Sequence, residues 1–189
     1  MQVERLAREF DVDLHWRPFE LHPETPPAGI ALDEARLNIR AAASWDRLAS
    51  MARELGLRFR RPRLVANSHL ALEAAEFVRE RAPDRFDAFH RALFAAYFER
   101  SDNIGDAETL CAIARAAWAP ADELREALAD RRYERRIDQA TDLARAEGVS
   151  GTPTFIFDGR LPIVGAQEYA VFASVARRMG ARPRRLPPG

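Results

Sequence analysis

Apolar residues recur at helical spacing through most of the chain, while short stretches near its two ends alternate as strands do. Residues 2–10 form the first helical pattern, with apolar side chains on one face at Val3, Leu6, Ala7 and Phe10. Residues 12–19 then alternate between apolar and polar positions, which predicts a strand. Pro18 has no backbone donor, so we expect it to end this strand or to lie at a sheet edge.

The middle of the chain, residues 33–147, is predicted to be a block of helices. It follows a loop at residues 20–32 that is rich in proline, and an irregular stretch at residues 57–66 interrupts it. Helices are expected over residues 33–55, 67–82, from 84 onward, and over 107–118, 121–129 and 131–147. The predicted N-caps, whose short polar side chains can accept from a free amide of the first turn, are Asp33, Asn67, Asp84 and Asp106.

Strand patterns return only after Gly148. Residues 154–158 and 161–164 are predicted to form a hairpin, because Asp158 and Gly159 are a strong type I′ turn signal. A last helix is expected over residues 167–179, followed by a disordered tail at residues 181–189. The predicted domains are therefore residues 1–32 with 148–180, an insertion at 33–147, and the tail.

Composition excludes several functions. The 189 residues contain 29 basic and 29 acidic residues, so no overall field would attract nucleic acid or a membrane surface. Every basic residue is an arginine, which excludes a lysine Schiff base and the lysine of a phosphate-binding P-loop. The tail arginines are read as a solvated terminus. No apolar run approaches the roughly 20 residues of a membrane span and no secretory signal is visible, so a cytoplasmic chain is expected.

Candidate reactive side chains are few. Cys111 is the only cysteine, and its helical surroundings favour a buried structural thiol. The four histidines, His15, His22, His69 and His90, show no metal-binding spacing, so no metal is expected. His90 lies on an apolar helical face and is predicted to pack in the core. His22, in a proline-containing loop, is the histidine most suited to line a cleft.

The Thr152-Pro153 pair is the most informative local feature. Gly151 precedes it and an apolar strand follows. Spacing alone leaves an ordinary trans turn open, because only about 5–6% of X-Pro bonds are cis. A cis proline would instead present the backbone of Thr152 as an edge on which an extended thiol substrate could pair.

Six sequence blocks in order carry a family resemblance. They are residues 16–24 (Trp-Arg-Pro-Phe-Glu-Leu-His-Pro-Glu), 67–77 (Asn-Ser-His-Leu-Ala-Leu-Glu-Ala-Ala-Glu-Phe), 86–94 (Phe-Asp-Ala-Phe-His-Arg-Ala-Leu-Phe), 102–106 (Asp-Asn-Ile-Gly-Asp), 148–158 and 164–167 (Val-Gly-Ala-Gln). Together they resemble the DsbA-like branch of the thioredoxin superfamily, and within it the FrnE-like group. The resemblance implies an α/β thioredoxin-like fold with a large helical insertion and a cis proline facing a redox dithiol.

The resemblance also implies what this chain does. Its function would be that of a thiol-disulfide oxidoreductase. The expected substrates are thiol- or disulfide-bearing proteins or small thiols. No nucleic acid or membrane partner is expected, and a homodimer is possible. No catalytic residue is assigned, because the dithiol and the first strand of the family have no counterpart here. We expect a truncated form, with the upstream reading frame encoding that strand and a Cys-Pro-x-x or Cys-x-x-Cys turn. The candidate substrate-binding residues are Ser150, Gly151, Thr152, Pro153, His22 and Gln167.

Two other functions stay open. The first is a relative of the glutathione-dependent isomerases and kappa-class transferases, with glutathione as co-substrate and otherwise no cofactor. The residues at 164–167 depart from the Trp-Gly-Gln-Asp type segment of that group, which favours the oxidoreductase. The second is a redox-inactive module that binds thiols or peptides.

Overall fold

The computed structural model describes residues 2–32 and 39–184. Within these ranges the α-helices are α1 (Gln2–Glu9), α2 (Ile39–Glu54), α3 (His69–Arg81), α4 (Phe86–Ala95), α5 (Ala107–Ala116), α6 (Ala121–Ala129), α7 (Glu134–Ala146) and α8 (Tyr169–Arg178). A 3-10 helix at Pro83–Arg85 precedes α4, and a π-helix at Ala96–Arg100 follows it. The strands are β1 (Ile30–Ala31), β2 (Leu64–Val65), β3 (Thr154–Phe157) and β4 (Leu161–Val164).

The chain divides into two compact units. The first unit joins Met1–Arg17 to Ala144–Gly189, and the second is Pro18–Leu143. In the first unit β3 pairs with β4 in antiparallel register, from Thr154 opposite Val164 to Phe157 opposite Leu161. In the second unit β1 pairs with β2. The sequence places the insertion boundary at residues 32 and 33, about fifteen residues later than this first division.

The core of the first unit lies between α1, α8 and the inner face of the hairpin. Leu6 of α1 and Phe10, which directly follows α1, are buried together with Phe172 of α8. The ring of Phe155 meets that of Phe172 edge-on, with centroids 4.7 Å apart, an arrangement that the charge distribution of aromatic rings favours. The apolar face predicted for residues 2–10 therefore lies in the core of the first unit.

The hairpin turn is set by two residues with positive φ. Asp158 has φ 49° and Gly159 has φ 65°, and the amide of Arg160 donates to the carbonyl of Phe157 at 3.0 Å. Positive φ at both central positions matches the twist of the flanking strands, which is why Asp-Gly favours such turns. The predicted hairpin is confirmed.

The core of the second unit is helical. Its buried side chains come from α3, α4, α5 and α6 and include Phe77, Phe89, Leu110, Cys111 and Leu124. Asp106 caps α5 as predicted, because its Oδ2 accepts from the Thr109 amide at 2.8 Å and so satisfies a free donor of the first turn. The N-cap of α3 is Ser68 and not the predicted Asn67, although Asn67 Oδ1 accepts from the His69 amide at 2.9 Å.

The strand predicted at residues 12–19 is wrong. The segment is irregular, and it does not share a sheet with β3 and β4 in the part of the chain that the structure describes. Leu14 and Trp16, two of the three apolar positions of the alternating pattern, are 41% and 38% exposed. A strand needs a neighbour for its amides and carbonyls, and an alternating pattern does not by itself supply one.

Other local predictions also need correction. Asp84 does not cap α4, which begins after Arg85 without a side-chain cap, because Pro83–Arg85 forms a 3-10 helix. The predicted cap Asp33 lies outside the described residues. In the described part of the tail, the Arg184 amide donates to the Glu9 carbonyl at 2.8 Å and its Nε donates to the Phe10 carbonyl at 2.9 Å. These bonds join Arg184 to the end of α1.

Candidate functional site

The segment before β3 carries four of the six candidate binding residues. Ser150, Thr152 and Pro153 are exposed, and Gly151 is partly buried. The Thr152–Pro153 peptide bond is cis, which is the alternative that the family resemblance favours. The helix α7 ends shortly before at Ala146, and Gly148 with φ 86° turns the chain toward the strand.

Hydrogen bonds hold this segment on both sides and leave its centre open. The Thr154 hydroxyl donates to the Gly151 carbonyl at 2.7 Å, and the Gly165 amide donates to the Pro153 carbonyl at 2.7 Å. Among the described residues, neither the amide nor the carbonyl of Thr152 has a hydrogen-bond partner. An exposed donor and acceptor on a fixed backbone can pair with an extended peptide, as an added strand does.

Gln167 lies at the same end of the hairpin. Its side-chain amide donates to the Val164 carbonyl at 3.0 Å, and Val164 is the register partner of Thr154. The structure therefore places Gln167 and the segment ending at Pro153 on neighbouring ends of β4 and β3. His22 belongs to the second unit, where its Nδ1 is 3.0 Å from Glu24 Oε1 and both side chains are exposed.

A buried polar cluster in the second unit is the feature that the sequence did not reveal. His69 Nδ1 lies 2.9 Å from Glu20 Oε2, and His69 Nε2 lies 3.6 Å from Glu73 Oε1. Arg131 Nε is 2.9 Å from the same Glu73 oxygen, and the Tyr133 amide donates to the other oxygen at 3.3 Å. The His69 and Arg131 side chains and the Tyr133 amide thus surround the fully buried Glu73 carboxylate, while Glu20 contacts the other ring nitrogen of His69.

Burial dominates the electrostatics of this cluster. It raises the pKa of the Glu73 carboxyl above its usual value, because the charged form loses its hydration, while Arg131 and then His69 act in the opposite direction. A signal was available in the sequence. Glu73 and Glu76 stand among buried apolar residues of α3, and carboxylates at such positions are rarely buried without partners.

Cys111 and His90 occupy apolar surroundings in the second unit. The Cys111 thiol is buried, and burial raises its pKa, which lowers the thiolate fraction needed for exchange. The prediction of a buried thiol is confirmed. His90 is partly buried and stacks on Phe86 with centroids 5.2 Å apart, and burial lowers the pKa of its imidazole.

The described residues contain neither a metal-binding cluster nor a membrane-spanning helix. Across residues 2–32 and 39–184, no group of three or more His, Cys, Asp or Glu side chains is arranged to hold a metal ion. No helix in the described part of the chain is long and apolar enough to cross a membrane.

The fold and the segment at residues 150–153 define a class of protein. A family model described as DSBA-like thioredoxin domain matches residues 1–176, and the chain belongs to this family. The resemblance stated from the six sequence blocks is confirmed at this level, as is the α/β thioredoxin-like fold with its helical insertion.

Two known proteins show how far the likeness extends. The chain is 29% identical over 165 residues to the uncharacterized protein YwbO of Bacillus subtilis (strain 168). The aligned region covers 86% of this chain and 80% of that protein. In structure it is similar to a probable DsbA oxidoreductase from Streptomyces coelicolor, with a TM-score of 0.76 and 23% identity over 90% of this chain and 77% of that one. At this level of sequence identity, the structural similarity shows a shared fold only.

Proposed function

We propose that the chain binds thiol- or disulfide-bearing substrates, as a thiol-disulfide oxidoreductase of the DsbA type and its FrnE-like group. Membership of the DSBA-like family supports the class. The observation that carries the binding role is the exposed Thr152 backbone, whose amide and carbonyl have no partner among the described residues. The substrates are proteins or small thiols.

The proposed docking uses the backbone more than the side chains. An extended substrate would accept from the Thr152 amide and donate to the Thr152 carbonyl, extending the β3–β4 hairpin by a short antiparallel pair. Ser150 can add a hydroxyl donor or acceptor. Gly151 leaves room, because a Cβ built there would meet only Val164 Cγ1 at 3.9 Å. Backbone recognition tolerates many sequences, which suits an enzyme that accepts varied proteins.

No exchange step is assigned to Cys111. A thiol acts as a nucleophile only when it is ionised and reachable, whereas Cys111 is fully buried with a raised pKa. The residues described here therefore supply binding and orientation. Glutathione as the small thiol remains part of this proposal, and exposed His22 is a candidate contact for it.

Amide chemical shifts test the docking directly. The probe is an extended hexapeptide with one central S-methylcysteine, titrated into isotopically labelled protein. We expect the amide resonances of Gly151, Thr152 and Thr154 to shift most, because they flank the proposed pairing site. Shifts confined to other parts of the chain would refute the docking role.

Two variants and a second ligand complete the test. Pro153→Ala is expected to weaken peptide binding, while Pro162→Ala in β4 serves as the matched control with unchanged affinity. Reduced glutathione that competes with the peptide supports a site for small thiols at Thr152. Equal weakening by both proline variants would contradict the proposal.

A further inference from the structure

A short basic segment joins α2 to β2. Residues 58–63 contain no acidic residue and four arginines, which are Arg58, Arg60, Arg61 and Arg63. The charges of the whole chain balance. A local surplus of positive charge on a protein without net charge creates a positive electrostatic potential at that part of the surface.

Three arginines meet in one cleft. Arg58, Arg60 and Arg100 line it together with Phe59 and Glu99. The Arg60 amide donates to the Phe98 carbonyl at 2.6 Å, which fixes the basic segment against the π-helix. One backbone hydrogen bond therefore helps to fix the cleft, which does not depend on the positions of long side chains alone.

The charges of the cleft are only partly paired. Arg58 lies 3.1 Å from Glu99, and Arg100 donates to Asp102 at 2.8 Å. Among the described residues, no carboxylate lies within ion-pair distance of the guanidinium groups of Arg60, Arg61 or Arg63. Arg60 is exposed, so it retains its donors for a ligand.

Phe59, which lines the cleft, packs against other aromatic rings. Phe59 lies between Phe98 and Trp45, with ring centroids 5.6 Å and 6.0 Å away. Phe98 also stacks on Phe94, at 6.0 Å. Because neighbours flank the Phe59 ring, it supports the basic segment and is poorly placed to stack on a nucleobase.

We propose that this cleft binds an acidic peptide segment of a partner protein. The fork of a guanidinium group matches a carboxylate with two parallel hydrogen bonds, and Arg60 is free to make them. A nucleic acid fits less well, because proteins that bind single strands without sequence preference use exposed aromatic rings and a longer basic groove. The surface is independent of the thiol-docking role proposed for Thr152.

Fluorescence anisotropy with a labelled hexaglutamate peptide tests the proposal. We expect saturable binding that weakens with added salt, and Arg60→Glu should weaken it at least about tenfold. Arg135→Glu is the matched control, because Arg135 is an exposed arginine of α7 that does not line the cleft. Circular dichroism and thermal unfolding show whether each variant keeps its fold.

A second variant predicts a gain in affinity. Glu99→Gln removes the carboxylate that occupies Arg58 and repels an acidic ligand, so hexaglutamate should bind about threefold more tightly. A merely structural role of Glu99 would not produce tighter binding. Equal weakening by Arg60→Glu and Arg135→Glu, an unchanged or weaker Glu99→Gln, or tighter binding of a hexauridine oligonucleotide would each overturn the proposal.

Discussion

The Arg131 guanidinium lies 2.9 Å from a carboxylate oxygen of Glu73, although the two residues are far apart in the sequence. The Glu73 side chain is fully buried, and that of Arg131 is 40% exposed. Arg131 therefore reaches from the surface to a charge that water does not reach. This contact ties the turn before α7 to the centre of α3.

Removal of Arg131 should destabilise the protein. Arg131→Ala leaves the Glu73 charge poorly compensated, so we expect the free energy of unfolding to fall by about 1–3 kcal/mol, since the partial exposure of Arg131 moderates the loss. Urea unfolding measures it. Arg132→Ala is the control, because Arg132 pairs with Asp130 at the surface. Glu73→Gln added to Arg131→Ala should recover part of the loss, and no recovery would contradict the assignment.

The pH dependence of Glu73→Gln follows from the raised pKa of the Glu73 carboxyl. Because the pKa in the folded state lies above the ordinary glutamate value of 4.5, the folded state binds the proton more tightly than the unfolded state. The contribution of Glu73 to stability is present below pH 4.5 and is lost as pH rises through the folded pKa. The free energy of unfolding of Glu73→Gln relative to the native protein should therefore increase with pH across this window. A decrease would mean that Arg131 outweighs burial.

Two glycines should respond oppositely to alanine. A Cβ at Gly105 would lie 2.9 Å from the Asn67 carbonyl oxygen and 3.2 Å from Asn103 Oδ1, so Gly105→Ala should cost about 1–3 kcal/mol. Gly151 has open space and is not in the left-handed region. Gly151→Ala should be neutral or slightly stabilising, by up to about 1 kcal/mol. Thermal unfolding of both variants checks this, and similar losses at both sites would contradict it.

The Cys111 thiol should react slowly in the folded protein. Its burial and raised pKa both reduce the reactive thiolate, so we expect Ellman's reagent to react at least about a hundredfold more slowly than in concentrated urea. The native protein and Cys111→Ser should also show the same background rate of insulin reduction. Rapid native labelling, together with insulin reduction that Cys111→Ser abolishes, would show that Cys111 takes part in exchange.

The features that could be predicted from the sequence depend on residues a few positions apart. Asp106 caps α5 through an amide three residues later, and Asp158 with Gly159 turns the β3–β4 hairpin. The burial of Cys111 follows from the periodicity of its own helix. The segment before β3 was recognised from its sequence because its glycine, proline and apolar strand are adjacent.

The tertiary structure alone decided the features that join distant residues. Residues 12–19 alternate like a strand, yet a strand forms only where a neighbouring backbone offers donors and acceptors. Arg184 donates to the carbonyl of Phe10, a residue far away in the sequence. Glu73 meets Arg131, and Arg60 meets Phe98, through packing that no local pattern encodes. Caps and turns are set by short-range hydrogen bonds, whereas buried charges and clefts depend on which helices pack together.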